Sequence, residues 1–220
     1  SIPTEGIVGL ELEDLRQADR FGYVVKLLGI GIRSAEGLDL RVHPAFIPKR
    51  YLLAAVRDEF NGVYLRGEAS GSMLLYGKGA GALPTAQAVL GDAIAVAREC
   101  MLRGGPAAVR ESRAGSAAPT SESALGRDDE RLPLDEVRTK YYLRLTVEDQ
   151  PGVLAQIAHR LGASRVSVAQ MHQAPSVRGQ ATITMLTHET RDKDARDAVR
   201  AIASIPAVLK GPRAVRIFDV

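Results

Sequence analysis

The sequence predicts an α+β fold with one sheet in each half of the chain. Three observations support this. Apolar, β-rich segments occur in pairs separated by turn residues within residues 1–102. Residues 103–138 are rich in Gly, Ser, Ala, Pro and mixed charges, which is typical of a linker. From residue 139 the order is strand, helix, strand, strand, helix, strand. We therefore expect an N-terminal mixed or antiparallel sheet with helices in 1–102 and a βαββαβ domain in 139–220.

The composition argues against several classes of partner. The chain has 220 residues and a formal net charge of +3, and its few aromatic residues do not alternate with basic ones, so we expect no nucleic-acid partner. The single cysteine, Cys100, cannot form a disulfide within the chain, which fits a reducing cytoplasm. No apolar run approaches the ~20 residues that cross a bilayer, and no basic-then-apolar leader begins the chain. We therefore expect a cytoplasmic protein with no membrane partner.

The first predicted elements are a helix and a β-hairpin. The helix spans Glu13–Phe21 and stops at Gly22. The apolar strand Tyr23–Ile32 follows, and the alternation in Leu38–Phe46 predicts that this second strand pairs back on the first. Helical periodicity places four residues on the inward face of the helix: Leu12, Leu15, Ala18 and Phe21.

Two residues of the hairpin carry alternative interpretations. Lys26 could be the base that hydride transfer from an alcohol needs, but a strand lysine whose stem packs and whose ammonium reaches water is favoured. His43 has no second His or Cys at ligand spacing, so we interpret it as structural and expect no metal site.

A second hairpin is predicted from Asn61–Glu68 and Gly71–Tyr76. With the first hairpin it would form a four-stranded sheet. The helix Glu13–Phe21 and a further predicted helix, Leu52–Glu59, would cover one face of that sheet.

A glycine-rich loop then connects a strand to a long helix. Gly77, Gly79 and Gly81 follow the apolar run that ends at Tyr76, and the helix extends from about Pro84 to Leu102. Gly-rich backbone at a helix start leaves amide N–H groups free to bind an anion such as phosphate. The match to G-x-G-x-x-G/A is weak by itself, and no second strand follows as a dinucleotide fold requires. The loop therefore predicts one wall of a nucleotide site, although the glycines could also serve only a tight turn.

The C-terminal segments predict the ferredoxin-like split βαββαβ unit. Asp192 is expected to cap the second helix. The predicted segments are Tyr141–Val147, Val153–Leu161, Val166–His172, Ala181–Thr187, Ala195–Ser204 and Val208–Phe218.

The junction between the first strand and helix of this unit reads D-x-P-G-V-L. Asp149 can cap the helix or accept an ammonium group, and Gly152 keeps the entry narrow so that free amides can meet a carboxylate. Alternatively, these residues could serve only to form the turn and cap the helix, since the same residue types are common at strand-to-helix junctions.

The block YGKGAGALPTAQAVLGD resembles homoserine dehydrogenase. The similarity extends upstream through EGIVGLELEDLRQADRFGYVVKLLGIG and RVHPAFIPKRYLLAAVRDEFNGVYLRGEASG, over nearly all of 1–102. It implies that 1–102 form the C-terminal part of the catalytic domain, which binds substrate and dimerises. The family interconverts L-aspartate 4-semialdehyde and L-homoserine with NADP or NAD, in threonine and methionine biosynthesis.

The resemblance also implies where the cofactor binds. Gly79, Ala80, Gly81 and Thr85 match the motif beside the nicotinamide ribose and phosphate, and Lys78 is a further hypothesis because it would place a cation beside that phosphate. The proposed catalytic lysine and acidic residues of the family precede the segment where this chain begins. We therefore assign no catalytic residue and expect the polypeptide as given to be inactive by itself.

The run LRLTVEDQPGVLAQIAHRLGASRVSVAQMHQ resembles the ACT domain, an amino-acid-sensing module. The resemblance implies effector contacts at Asp149, Pro151, Gly152, Val153 and Leu154, with threonine as the most plausible effector. Two alternatives remain open. The chain could be a regulatory module without catalysis, or both of its parts could serve only as interfaces of a homo-oligomer.

Overall fold

The computed structural model describes residues 1–102, 105, 131–174 and 178–219. They fall into two compact units, one formed by Ser1–Ala54 with Glu130–Val220 and the other by Ala55–Asp129. Most of the predicted linker lies outside the described residues, and its described end forms a 3-10 turn, Leu134–Glu136. The domain boundaries at 102 and 139 stay a prediction.

The helices and strands are numbered here in chain order. The helices are α1 (Leu12–Arg20), α2 (Ala82–Leu102), α3 (Val153–Ala163) and α4 (Asp192–Ala203). The strands are β1 (Tyr23–Ser34), β2 (Gly37–Pro48), β3 (Phe60–Gly67), β4 (Gly71–Lys78), β5 (Arg138–Glu148), β6 (Val168–Gln173), β7 (Gln180–Thr187), β8 (Thr190–Arg191) and β9 (Val208–Ile217).

The C-terminal part of the first unit has the predicted ferredoxin-like arrangement. Its strands lie in the order β9-β5-β7-β6, and the short β8 pairs with the start of β5. Helices α3 and α4 cover one face of this sheet, and the main hydrophobic core lies between them and the strands. Representative core residues are Leu143, Leu145, Ile157, Leu161, Ile183, Met185 and Ile202.

The predicted four-stranded N-terminal sheet is wrong. The hairpin β1–β2 forms as expected, but β2 pairs in parallel with β9, through Ala45 with Arg216 and Phe46 with Ile217. The end of β2 is buried on both faces, as a central strand must be. The Phe46 ring stacks on Tyr142 with 4.6 Å between ring centroids. The hairpin therefore extends the C-terminal sheet to the order β1-β2-β9-β5-β7-β6.

Helix α1 presents a different face from the one its apolar periodicity predicts. Ala18 is buried as expected, but Leu12 is 62% exposed, and the buried neighbours of Ala18 are Asp14 and Gln17. The predicted stop is confirmed, because Gly22 has a φ of +81°, which favours glycine. The helix therefore packs through polar groups, which need partners across the interface.

The second unit contains the hairpin β3–β4 and helix α2. The two strands form a separate two-stranded sheet, and α2 covers the predicted range. The predicted helix Leu52–Glu59, at the border between the units, is only a single 3-10 turn, Leu52–Ala55. Within α2, every residue of which is described, no side chain is buried, so the described residues leave its apolar side chains uncovered. Across the described ranges, no helix has both the length and the apolarity to cross a membrane.

Candidate functional site

The loop between β4 and α2 has a backbone conformation that requires glycine at Gly81. A Cβ atom on Gly79 would overlap the Asn61 side-chain amide, and the Gly79 N–H donates to the Glu59 carbonyl at 3.0 Å. Gly81 has a φ of +116°, and its carbonyl accepts the Thr85 N–H at 3.1 Å, which begins the hydrogen bonds of α2. The turn itself therefore explains Gly81, whereas a side chain at residue 79 would require only that the Asn61 side chain move.

Lys78, the candidate phosphate ligand, already has a carboxylate partner. Its Nζ lies 2.8 Å from Glu59 Oε1 and 5.3 Å from the centre of the Phe60 ring. The hydrogen bond from Lys78 lowers the pKa of Glu59. A phosphate would have to share this cation with Glu59, and the role of Lys78 stays a prediction.

An open groove runs from the glycine loop along α2. Gly81 and Thr85 line it, whereas Gly79 and Ala80 are not among its lining residues. The remaining lining residues are small or aliphatic: Ala82, Ala86, Val89, Leu90 and Ala93. The groove therefore joins a helix N-terminus, which favours an anion, to an apolar strip that could take a flat ring.

The D-x-P-G-V-L segment forms a tight entry to α3. Gly152 is the residue before the helix and has a φ of +87°, while Val153 is anchored in the core. The Asp149 carboxylate is exposed and accepts a long hydrogen bond from Gln173 Nε2 at 3.5 Å. The exposed end of β6 is therefore the neighbour of this carboxylate. Effector contacts at this loop stay a prediction.

A buried ionic cluster lies at the start of α4, and the sequence analysis missed it. Asp192, which was predicted to cap α4, is instead the first residue of the helix, and its carboxylate accepts hydrogen bonds from Tyr141 Oη, Arg196 Nε and Arg216 Nε. Burial alone would raise the pKa of Asp192, but the hydrogen bond from Tyr141 and the charge of Arg216 outweigh it and lower that pKa. Arg216 also binds Glu5 at 2.8 Å, so the cluster ties the N-terminal segment to β9.

A second ionic cluster explains the polar face of α1. Arg144 on β5 donates from Nε to Asp14 Oδ1 at 2.7 Å and from Nη2 to Glu11 Oε2 at 3.0 Å. Asp14 is fully buried, so the pair is shielded from water on the helix side. The sequence signal was an arginine between two apolar residues in each of two strands, Arg144 and Arg216, and this pattern does not identify a partner.

His43 is buried in the first unit. Its Nδ1 donates to the Pro44 carbonyl at 3.0 Å, which fixes the neutral tautomer with the proton on that nitrogen. Burial lowers the pKa of His43 to about 4. Its Nε2 has no hydrogen-bond partner among the described residues, and a structural role for this histidine stays a prediction.

Comparisons with known proteins match both halves of the chain. The family model for homoserine dehydrogenase matches residues 1–94, and the model for the ACT domain matches residues 141–207. A homoserine dehydrogenase from Neisseria gonorrhoeae is 37% identical over 97% of this chain, and one from Synechocystis is 33% identical over 99%. The match covers 47% and 49% of those two relatives, so the chain spans about half their length.

The fold agrees with this similarity. The crystal structure of a homoserine dehydrogenase from Thiobacillus denitrificans superposes with a TM-score of 0.79 at 38% sequence identity. The alignment covers 98% of this chain and 47% of that chain. These matches show that the chain belongs to the homoserine dehydrogenase family, corresponds to a C-terminal portion of such a protein, and carries an ACT domain.

Proposed function

We propose that this chain is part of an enzyme that interconverts L-aspartate 4-semialdehyde and L-homoserine with NADP or NAD. In this proposal the glycine loop and the first turn of α2 form one wall of the nucleotide site. The observation that carries it is the uncovered groove, in which Gly81 and Thr85 lie at the mouth of a helix whose apolar side has no cover within the described residues.

The groove can supply two kinds of contact. The N-terminal end of α2 favours a phosphate group through the helix dipole and backbone N–H groups. The aliphatic strip beyond it, at Val89 and Leu90, can pack against an apolar ring. A nicotinamide dinucleotide offers both features, so each end of the groove would bind a different part of the same cofactor.

The residues proposed for this site position the cofactor and do not transfer protons. Gly81 and Thr85 contribute backbone and hydroxyl groups, which orient a ligand. We propose that the proton-transferring residues belong to the part of the enzyme that this chain does not match, and that the 220 residues do not reduce the substrate by themselves.

A chimaera tests the proposal. This chain would replace the matching half of the Neisseria gonorrhoeae relative, and NADPH-dependent reduction of aspartate semialdehyde would be measured. We expect activity, and Gly81→Val in the chimaera should raise KM for NADPH by about tenfold or more, since it strains the backbone at the groove mouth. Gly77→Ala is the matched control, because a Cβ atom there meets open space. A folded chimaera without activity, or an unchanged KM in Gly81→Val, would refute the proposal.

We also propose that the ACT domain binds an amino acid at the D-x-P-G-V-L segment, with threonine as the effector. The observation that favours this is the exposed Asp149 carboxylate beside the left-handed Gly152 at the start of α3. The Asp149 carboxylate would accept hydrogen bonds from the ammonium group of the ligand. The backbone amides of the first turn of α3 would donate hydrogen bonds to the carboxylate of the ligand.

Thermal unfolding of the 220-residue chain tests this second function. Threonine at millimolar concentration should raise the melting temperature more than serine or valine does, because a ligand that binds the folded state stabilises it. Asp149→Asn should remove the shift and leave the melting temperature without ligand nearly unchanged. If threonine gives no shift, the domain is reduced to an assembly role, for which the edge strand β6 offers unpaired backbone groups.

A further inference from the structure

A cavity of about 590 Å³ lies within the first unit, where the hairpin β1–β2 meets the start of β5 and the end of β9. This volume is in the range of small-molecule sites. One wall is apolar and is formed by Ile32, Leu132, Val137, Ile217 and Phe218.

Two charged residues of β2 line the same cavity. Asp39 and Arg41 are two positions apart on the strand, so their side chains point to the same face. They are 8% and 5% exposed, and Arg41 Nη2 lies 3.2 Å from Asp39 Oδ2. Among the described protein groups, Arg41 Nε, Arg41 Nη1 and Asp39 Oδ1 have no hydrogen-bond partner.

This incomplete pairing distinguishes Asp39 and Arg41 from the other charges around the cavity. Lys140 lies 2.8 Å from Asp219, and Arg138 lies 3.0 Å from Glu189. Those ion pairs are more exposed, so water can complete their hydrogen bonds. A buried guanidinium with two nitrogens lacking acceptors is costly, and most such groups in proteins acquire a partner.

Two further charged residues of opposite sign act electrostatically on the pair. Arg216 and Asp192 act electrostatically on Asp39 and Arg41, and these four residues together carry no net charge. A net anion or a net cation in the cavity would upset this balance. A ligand with one carboxylate and one ammonium group would not.

We propose that this cavity binds the zwitterionic head group of an aliphatic α-amino acid, with the carboxylate at Arg41 and the ammonium group at Asp39. A carboxylate gives the guanidinium the acceptors that it lacks, and an ammonium group gives Asp39 Oδ1 a donor. The aliphatic side chain lies against the apolar wall at Ile32, Leu132 and Val137.

This site is separate from the D-x-P-G-V-L segment. The cavity touches the first residues of β5, whereas Asp149 follows its last residue, Glu148. A strand rises about 3.3 Å per residue, so the two places are roughly 30 Å apart along β5. The inference goes beyond the proposed dehydrogenase and threonine sites, because it does not depend on either.

Three matched probes test the recognition on the unaltered 220-residue chain. L-Leucine has both charged groups, L-leucinamide lacks the carboxylate, and 4-methylpentanoate lacks the ammonium group. Calorimetric titration should show binding of L-leucine, and each of the other two should bind at least about tenfold more weakly, because each leaves one buried charge unpaired. If L-leucine does not bind, only water satisfies the pair and the proposal is overturned. If 4-methylpentanoate binds as well as L-leucine, Asp39 has no role in recognition.

Variants then locate the site. Leu132→Trp should fill the cavity and abolish L-leucine binding without removing a charge, and Asp39→Asn should weaken it about tenfold or more. Asp149→Asn is the control and should leave L-leucine binding unchanged while it removes the threonine shift. Unchanged binding in Leu132→Trp, or lost L-leucine binding in Asp149→Asn, would overturn the assignment to this cavity. Since Leu132→Trp tests occupancy without disturbing the ion pair, misfolding of Asp39→Asn would not obscure the result.

Discussion

The two units of the chain bury their side chains to very different extents. Every residue that is buried within the described ranges belongs to the first unit, which has helices α3 and α4 on one face of its sheet and α1 on the other. In the second unit α2 exposes large apolar side chains along its length, and Leu83 is 83% exposed. An uncovered apolar helix usually marks a contact surface.

This difference shows where each unit obtains its stability. The first unit has its own core and can account for its own fold. An isolated helix and a two-stranded hairpin are each marginal in water, so the second unit depends on contacts beyond those that are described. The apolar residues of the second unit therefore indicate a surface that contacts a partner, whereas those of the first unit form its own core. The following predictions test this contrast, in order of decreasing effect.

Removal of the Asp192 carboxylate should cause the largest loss of stability. Asp192→Ala leaves Arg216 buried with one partner fewer and should lower the free energy of unfolding by about 3–5 kcal/mol, as measured by urea denaturation. Asp197→Ala, on the same helix, removes an exposed pair with Arg200 and should cost about 0.5 kcal/mol. Equal effects of the two variants would show that the buried cluster does not stabilise the first unit.

Truncation of an aliphatic side chain should lower the free energy of unfolding much more in the first unit than in the second. Ile157→Ala creates a cavity between α3 and the sheet and should cost about 3 kcal/mol in the same denaturation assay. Leu90→Ala removes an exposed side chain of α2 and should change the stability of the isolated chain by about 0.5 kcal/mol at most. A large loss in Leu90→Ala would mean that α2 is covered in solution.

His43 should make the first unit sensitive to mild acid. Its folded pKa is about 4, below the ordinary value of 6.5, so the unfolded chain takes up the proton first as the pH falls. This contribution destabilises the folded state progressively between pH 6.5 and pH 4, by about 2 kcal/mol at pH 5 relative to pH 7.5. His43→Gln should remove that part of the pH dependence, measured by urea denaturation at both pH values. The exposed His159→Gln should not.

Two glycines at opposite ends of α3 differ in backbone conformation, so substitution by alanine should change the stability with opposite signs. Gly152→Ala places a side chain at a φ of +87° and should destabilise the chain by about 1 kcal/mol. Gly162→Ala, inside α3, meets open space and should stabilise the chain by roughly 0.5–1 kcal/mol. Thermal unfolding of both variants gives the comparison. A destabilising Gly162→Ala would indicate that another surface packs on α3.

Local features were largely predictable from the sequence. Alternation located the strands of the ferredoxin-like unit to within a few residues, because each has one face on the core. Gly22 and Gly81 were found as turn positions, since their conformations favour glycine. The D-x-P-G-V-L segment was found as the entry to α3 for the same reason.

Long-range pairing was not predictable in the same way. The prediction of the buried face of α1 was wrong because apolar periodicity assigns charged residues to the solvent. Asp14 is instead buried against Arg144, which lies 130 positions away in the sequence. Asp192 was predicted to be a helix cap because aspartate is common at that position. Its carboxylate instead binds Arg216, 24 positions away, and no local sequence rule identifies that partner. The cavity at Arg41 was missed for the same reason, since its walls come from five separate strands.

The parallel pairing of β2 with β9 has a practical consequence for protein engineering. Excision of residues 139–220 as a separate ACT domain would remove the outer neighbour of β9 and expose the Tyr142 ring that Phe46 now covers. An unpaired strand edge next to an exposed aromatic side chain promotes self-association. A version of this ACT domain for transfer into another protein therefore has to include the hairpin β1–β2 as well, although the hairpin comes from the other end of the chain.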